Sequence, residues 1–109
     1  MDTREFEITV EETFEQVAHL IETGILNGVD VIVHEDQCRF AFDDGSAMQI
    51  HRDMEQRKLH FDAAGHRVAS FTYNEVEEAW LEDETKQTLL TVLNRTFSQK
   101  YGSTVSLSD

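Results

Sequence analysis

VDVIVHEDQCRFAFDDGSAMQIHR, residues 29–52, contains the pattern that decides the fold. Apolar and polar residues alternate over residues 29–35, 37–42 and 47–52, which predicts three short β-strands. Asp43-Asp44-Gly45-Ser46 separates the last two, and aspartate and glycine favour the tight turn of a β-hairpin. Strands joined by short turns pair antiparallel, so we predict an antiparallel sheet at the centre of the chain.

Further strands are predicted after this segment. KLHFDA (58–63) and RVASFTY (67–73) alternate in the same way. In the next stretch, NEVEEAWLEDET (74–85), one continuous amphipathic helix is not expected, because no apolar residue falls between Leu81 and Leu89. Either a short helix or a short strand holds Trp80.

Both ends of the chain have the apolar spacing of a helix. The first stripe recurs every three or four residues and consists of Phe6, Val10, Phe14, Val17 and Ile21. This stripe predicts one long helix. Residues 4–10 also alternate like a strand, so the alternative is a strand over these residues followed by a helix from Glu11. The second stripe consists of Leu89, Leu90, Leu93, Phe97 and Tyr101, and Gly102 ends it before an extended tail.

The order helix, five or six strands, helix predicts an α+β fold. Two terminal helices can cover only one face of an antiparallel sheet. We therefore expect a two-layer sandwich, with both helices on one sheet face and the other face in water. Residues 1–109 are expected to form one domain, because a chain of this length supports a single modest core.

The composition narrows the classes of function. The formal net charge is -13, and nucleic-acid backbones bind cationic surfaces, so we expect no nucleic-acid partner. No apolar run approaches the ~18 residues of a membrane span, and the N-terminus does not resemble a secretory signal. We therefore expect a protein without membrane contact in the cytoplasm, or in a matrix-like compartment after processing. Cys38 is the one cysteine and is expected to be a buried, inert thiol.

The acidic residues are concentrated in the first half of the chain. Residues 1–44 hold twelve acids and two arginines, a balance of -10, whereas residues 45–109 have a balance of -3. Carboxylates with an occasional imidazole suit iron, manganese and calcium ions. On a helix, one polar stripe with spacings of four, four and three consists of Glu11, Glu15, His19 and Glu22, flanked by Glu7 and Glu12. The alternative is that these side chains only solvate the helix.

In its plan and in several motifs the chain resembles the frataxin family, in particular the bacterial CyaY type. The resemblance runs nearly end to end. It rests on the strand pair of residues 29–52 with an F-acid-polar-G-S turn at 42–46, on Trp80 followed by a polar turn and L-L-x-x-L, and on the closing motif G-x-T-V-S at 102–106.

Two regions depart from the family pattern. The central strand of the family normally carries an exposed Gln-hydrophobic-Trp-Leu motif that is implicated in docking the assembly scaffold. Here the matching residues are Lys58-Leu59-His60-Phe61, so His60 stands in place of the tryptophan. The family also clusters acids at the end of the first helix, and here Ala18, His19 and Thr23 interrupt that cluster.

The resemblance implies an accessory protein of iron–sulfur cluster assembly. Such a protein binds iron weakly through an acidic ridge, docks on the basic surface of a cysteine desulfurase, and contacts the iron–sulfur scaffold. By resemblance, the metal-binding residues are Glu11, Glu15, His19, Glu22 and Asp30, with Glu7 and Glu12, and the partner-binding residues are Asp43, Asp44 and His60. We expect a monomer and no enzyme, although some frataxins are described as ferroxidases.

A second class of function stays open: an acidic protein-binding module without a metal role, such as a class I type III secretion chaperone or a toxin-immunity protein. These chaperones share an alternating strand pair with an acidic turn and a late L-L-x-x-L-N helix, here residues 89–94. An exposed apolar groove favours this alternative, and a polar sheet face disfavours it. A hydrolase is not expected, because neither Ser46 nor Ser70 has a visible Ser/His/Asp companion.

Overall fold

The computed structural model describes residues 1–24 and 26–108, which contain two helices and six strands. In chain order the elements are α1 (Thr3–Thr23), β1 (Val29–Val33), β2 (Gln37–Phe42), β3 (Ala47–Asp53), β4 (Lys58–Ala63), β5 (His66–Asn74), β6 (Ala79–Glu82) and α2 (Leu89–Tyr101). The strands lie in the sheet in the order β1-β2-β3-β4-β5-β6, and each neighbouring pair is antiparallel. Both helices pack on one sheet face, so the predicted two-layer α+β sandwich is confirmed.

A single helix covers the segment for which a strand was the alternative. The Asp2 carboxylate accepts a hydrogen bond from the backbone N–H of Glu5 at 2.8 Å and caps the first turn. Phe6 and Val10 are fully buried against the sheet. Only a helix aligns these two residues with Phe14, so burial of the whole stripe favours one continuous helix.

The predicted hairpin joins β2 to β3. The N–H of Phe42 donates to the carbonyl of Ser46 at 2.9 Å, and the N–H of Gly45 donates to the carbonyl of Phe42 at 3.0 Å. Gly45 has a φ of +88°, a left-handed conformation that glycine adopts without strain. The Asp44 carboxylate accepts from the N–H of Ser46 at 2.9 Å, as expected of an aspartate-glycine turn.

Alternate strand residues face the helices and form the core. Phe40, Phe61 and Phe71 are fully buried, and the ring of Phe97 from α2 packs edge-on against Phe40 at a centroid distance of 5.4 Å. Burying one such side chain contributes about 1.5–3 kcal/mol. Cys38 is also fully buried, and burial raises the pKa of its thiol to about 12, which agrees with the inert thiol predicted from the sequence.

The ambiguous segment 74–85 contains a strand, β6. The Asn74 side chain accepts from the N–H of Glu77 at 2.9 Å, and this bond closes a turn that leads into the strand. Trp80 points into the core with 4% exposure, and its Nε1 donates to Oγ1 of Thr13 at 2.8 Å. The indole therefore links the sheet to α1.

The chain ends in the predicted tail. Gly102 adopts a left-handed φ of +69° and ends α2. Residues 103–108 form neither helix nor strand, yet Val105 and Leu107 are buried against the helices. Over the described parts of the chain, neither helix is both long and apolar enough to cross a lipid bilayer.

Candidate functional site

Three glutamates form an acidic row on the flank of α1 that faces the end of β1. They are Glu7, Glu11 and Glu15, whose spacing of four places them one above another on the helix. All three are exposed, and they border a groove of about 380 Å³ whose apolar floor includes Phe14 and Val33. We call this the ridge groove, lined by Glu7, Glu11, Phe14, Glu15, Val33, His34, Glu35 and Arg52.

Arg52 is the one arginine or lysine among the residues that line the ridge groove. Its Nη2 lies 3.5 Å from Oε1 of Glu35, whose side chain is 85% exposed. An ion pair with so solvated a carboxylate contributes little, because water screens the attraction. Four carboxylates and one guanidinium therefore line the groove, so its charge is negative and favours cations.

Two of the predicted ridge residues lie away from this row. Glu12 is on the opposite flank of α1 and lines a separate cavity of about 320 Å³, together with Trp80. Asp30 lies on β1, where Val29 and Val31 pack against the core, so the alternation of the strand directs Asp30 to the open sheet face. Neither carboxylate adds to the ridge groove.

His19 and Glu22 continue along α1 and are exposed. Neither lines the ridge groove. In the described ranges, no three or more His, Cys, Asp or Glu side chains converge on a point where they could hold a metal ion. The oxygen-rich row suits hard cations, but water would complete most of the coordination shell of any ion bound there.

The two aspartates of the β2–β3 turn differ in their availability to a partner. Oδ2 of Asp44 accepts from the ammonium of Lys100 on α2, and its other oxygen accepts from the hydroxyl of Ser46. The hydrogen bond from Lys100 lowers the pKa of Asp44, assisted by those from Ser46. Both aspartates are exposed, but Asp44 is paired with Lys100, whereas Asp43 lies beside Gly28.

His60, at the position of the family tryptophan, is the centre of a polar network on the open sheet face and is 8% exposed. Its Nδ1 lies 2.8 Å from Oγ of Ser70 and 2.9 Å from Nη1 of Arg67, and its Nε2 lies 3.1 Å from Oδ2 of Asp53. A guanidinium can only donate, so Nδ1 must be the acceptor and Nε2 carries the proton. The hydrogen bonds thus fix the tautomer of His60.

Asp62 extends the network to a second histidine. Its carboxylate accepts from Nε of Arg67 at 2.5 Å and contacts Nε2 of His51 at 2.9 Å. Burial raises the pKa of Asp62, but the hydrogen bonds from Arg67 and His51 outweigh burial and lower it overall. The pKa of Asp53 is lowered by the backbone N–H of Gln56 and then by His60.

The companions of His60 were not predicted from the sequence. Ser70 does have a Ser–His–Asp neighbourhood, contrary to the expectation from sequence, because Ser70 pairs with His60 across β5 and β4. Only the register between β4 and β5 brings Ser70 beside His60, and the alternation of residues in the sequence does not fix that register. Among the described side chains, every buried N or O atom has a hydrogen-bond partner, so the network contains no unsatisfied buried polar atom.

Comparison with known proteins identifies the family. A sequence model of the frataxin-like domain matches residues 1–103. The chain is 28% identical over 103 residues to the iron-sulfur cluster assembly protein CyaY of Thioalkalivibrio sulfidiphilus (strain HL-EbGR7), covering 94% of this chain and 95% of that protein. The fold matches the solved structure of a frataxin from Psychromonas ingrahamii with a TM-score of 0.87 at 17% identity, over 100% of both chains. The chain therefore belongs to the frataxin-like, or CyaY, family.

Proposed function

We propose that this chain is an accessory protein of iron–sulfur cluster assembly, acting in the cytoplasm as a monomer, with residues 1–109 as one frataxin-like domain. The observation that carries the proposal is the ridge groove, in which four exposed carboxylates face one arginine. The acidic row offers a binding surface to two cationic partners, iron and the basic surface of a cysteine desulfurase. The protein has no catalytic step of its own in this proposal.

Iron is the cargo of this surface and is held weakly. Glu7, Glu11 and Glu15 are exposed, and their mutual repulsion destabilises the folded chain. A bound cation reduces this repulsion. His19 and Glu22 extend the same row and are secondary ligands, while Glu12 and Asp30 do not line the ridge groove and are left out of this ligand set. Ferrous iron bound in this way keeps most of its water.

The desulfurase is proposed to dock on the same acidic row. A surface rich in carboxylates steers a basic partner over long range, and salt weakens this attraction. Asp43 is exposed and available to extend the contact, whereas Asp44 is paired with Lys100.

The scaffold is the partner whose contact differs most from the family pattern. In place of an exposed tryptophan, this chain has His60 in a network with Ser70, Asp53 and Arg67. Such a surface makes directional polar contacts rather than burying an aromatic ring, so we propose that scaffold docking is weaker here than in frataxins that retain the tryptophan.

An anaerobic NMR titration tests iron binding. We expect ferrous iron to broaden the amide signals of residues 7–15, and magnesium to leave them sharp. The variant Glu7→Gln/Glu11→Gln/Glu15→Gln should lose the broadening. Glu12→Gln is the matched control, because Glu12 lies on the opposite flank of the same helix. Equal broadening in the triple variant and the wild type would refute the assignment of iron to this row.

Calorimetry with a cysteine desulfurase tests docking. We expect binding to weaken steeply between about 50 mM and about 200 mM salt, and the triple variant to bind weakly at both. Binding that is indifferent to salt and to the triple variant would exclude the acidic row as the docking surface. The polar network around His60 and His51 on the open sheet face counts against the chaperone alternative, which needs an exposed apolar groove there.

A further inference from the structure

The outer edge of β1 has backbone groups that point away from the sheet. In the described parts of the chain, β1 pairs only with β2. The N–H of His34 donates to the carbonyl of Gln37 at 2.8 Å, and the N–H of Asp43 donates to the carbonyl of Gly28 at 2.9 Å. Hydrogen bonding alternates along an antiparallel pair, so the even-numbered residues of β1 bond to β2. Its odd-numbered residues direct their N–H and C=O groups outward.

Three devices that commonly protect a free edge strand are absent from β1, which carries Asp30 as its one charged residue. Free edges are commonly blocked by proline, lysine or a bulge, because exposed backbone groups recruit further strands. The five residues of β1 include three valines and no proline or lysine. Ile32 and Val33 are 38% and 43% exposed, so apolar side chains accompany the unpaired backbone.

The charge beside the edge selects which chain can pair with it. Val33, on β1, lines the ridge groove together with Glu11 and Glu15 of α1. On the opposite face of the same strand, Asp30 is exposed. A second copy of this chain, with its own net charge of -13, would bring two acidic rows together. An extended segment rich in lysine and arginine would meet carboxylates on both of its faces.

We propose that β1 binds an extended, basic segment of a protein partner as an additional antiparallel or parallel strand at the sheet edge. Main-chain hydrogen bonds to Val31 and Val33 hold the segment, and alternate basic side chains enter the ridge groove. This inference rests on the proposed function, since it states how a basic partner docks on the acidic row. The same carboxylates disfavour pairing between copies of this chain.

The test uses a synthetic peptide of about nine residues that alternates lysine and valine, a length that matches a strand. We expect it to shift the amide signals of Val31 and Val33 and to slow their hydrogen exchange. The same peptide with N-methyl groups on every second residue should not bind, because methylation removes the donors on one edge while the charge is unchanged.

Val33→Pro is the decisive variant, and Val33→Thr is its matched control. Proline removes the outward N–H of residue 33 and is tolerated at an edge position that donates nothing to β2. We expect Val33→Pro to weaken peptide binding by roughly tenfold or more, and Val33→Thr to bind like the wild type. Melting curves of both variants verify that the sheet remains intact.

The outcomes separate this inference from the proposed function. Iron broadening and salt-dependent desulfurase binding are read from Glu7→Gln/Glu11→Gln/Glu15→Gln, whereas strand addition is read from peptide binding to the two Val33 variants. Wild-type peptide affinity in Val33→Pro, or tight binding of the methylated peptide, overturns strand addition and leaves the proposed function standing. A dimer of the wild-type protein by sedimentation, with β1 amides protected in it, overturns the choice of a basic partner as occupant.

Discussion

The side-chain amide of Asn94 exchanges two hydrogen bonds with the backbone of Leu107. The N–H of Leu107 donates to Oδ1 at 2.7 Å, and Nδ2 donates to the carbonyl of Leu107 at 3.3 Å. Ser98, one turn further along α2, forms the same kind of pair with Val105, at 2.7 and 3.3 Å. The backbone of the tail is thus hydrogen-bonded by side chains of α2, as a neighbouring strand would otherwise do. These bonds hold Val105 and Leu107 against the helices.

We predict that Asn94→Ala destabilises the protein by about 1–3 kcal/mol, because it leaves backbone groups of Leu107 without partners in a partly buried place. For a domain of this size that loss lowers Tm by about 4–8 °C per kcal/mol. Thermal unfolding followed by circular dichroism measures it. Gln99→Ala, at an exposed position of the same helix, should change little. A melting curve of Asn94→Ala that overlays the wild type would contradict the role of this pair.

The bond from Trp80 to Thr13 gives a second prediction. Thr13→Val keeps the shape of the side chain but removes the acceptor, so a buried indole N–H loses its partner at a cost of about 1–3 kcal/mol. Thr13→Ser keeps the hydroxyl and should retain most of the stability. Denaturant unfolding followed by the fluorescence of Trp80, the one tryptophan, reports both variants. Equal midpoints for Val and Ser would argue against the bond.

Cys38 is predicted to be unreactive in the folded protein. Burial raises the pKa of its thiol to about 12, so almost no thiolate exists at neutral pH, and the sulfur is not accessible to reagents. A thiol reagent such as dithionitrobenzoate should react at the rate of global unfolding, and at once in denaturant. Rapid labelling under native conditions would show that the core around β2 opens locally.

The fold could be predicted from sequence more completely than the site. Alternation and helical spacing record which residues are buried, so the helices and the central strands follow from pattern alone. Glu11 and Glu12 are adjacent in sequence yet face opposite flanks of α1, and only the packing of the helix on the sheet decides which flank borders β1. The partners of His60 depend on register across three strands, which alternation alone does not fix.

The ion pairs of the open sheet face predict a pH dependence of stability. The pKa of Asp62 is lowered in the folded protein, so its charge stabilises the fold fully above its unfolded pKa of about 3.9. This stabilisation is lost as the pH falls through the lower folded pKa. Asp62→Asn should therefore cost about 1 kcal/mol near pH 7, and the difference from the wild type should vanish toward pH 2.

Urea unfolding of both proteins between about pH 2 and pH 7 measures this convergence. Asp36→Asn, at an exposed position between β1 and β2, serves as the comparison and should run parallel to the wild type across the range. A gap between Asp62→Asn and the wild type that stays constant with pH would mean that packing, rather than charge, accounts for the loss.

His60→Trp tests how the replacement of the family tryptophan by histidine affects stability and scaffold binding. The indole cannot accept the hydrogen bonds that Ser70 and Arg67 direct at Nδ1, so we expect a loss of about 1–3 kcal/mol in stability. It also restores an aromatic ring to the open face, so binding to an iron–sulfur scaffold protein should strengthen. Calorimetry measures the affinity, and thermal unfolding measures the stability. His60→Leu, which removes both ring nitrogens without adding an aromatic ring, should lose stability and gain no affinity. Equal scaffold affinity in the tryptophan and leucine variants would mean that the ring at this position does not set scaffold docking in this chain.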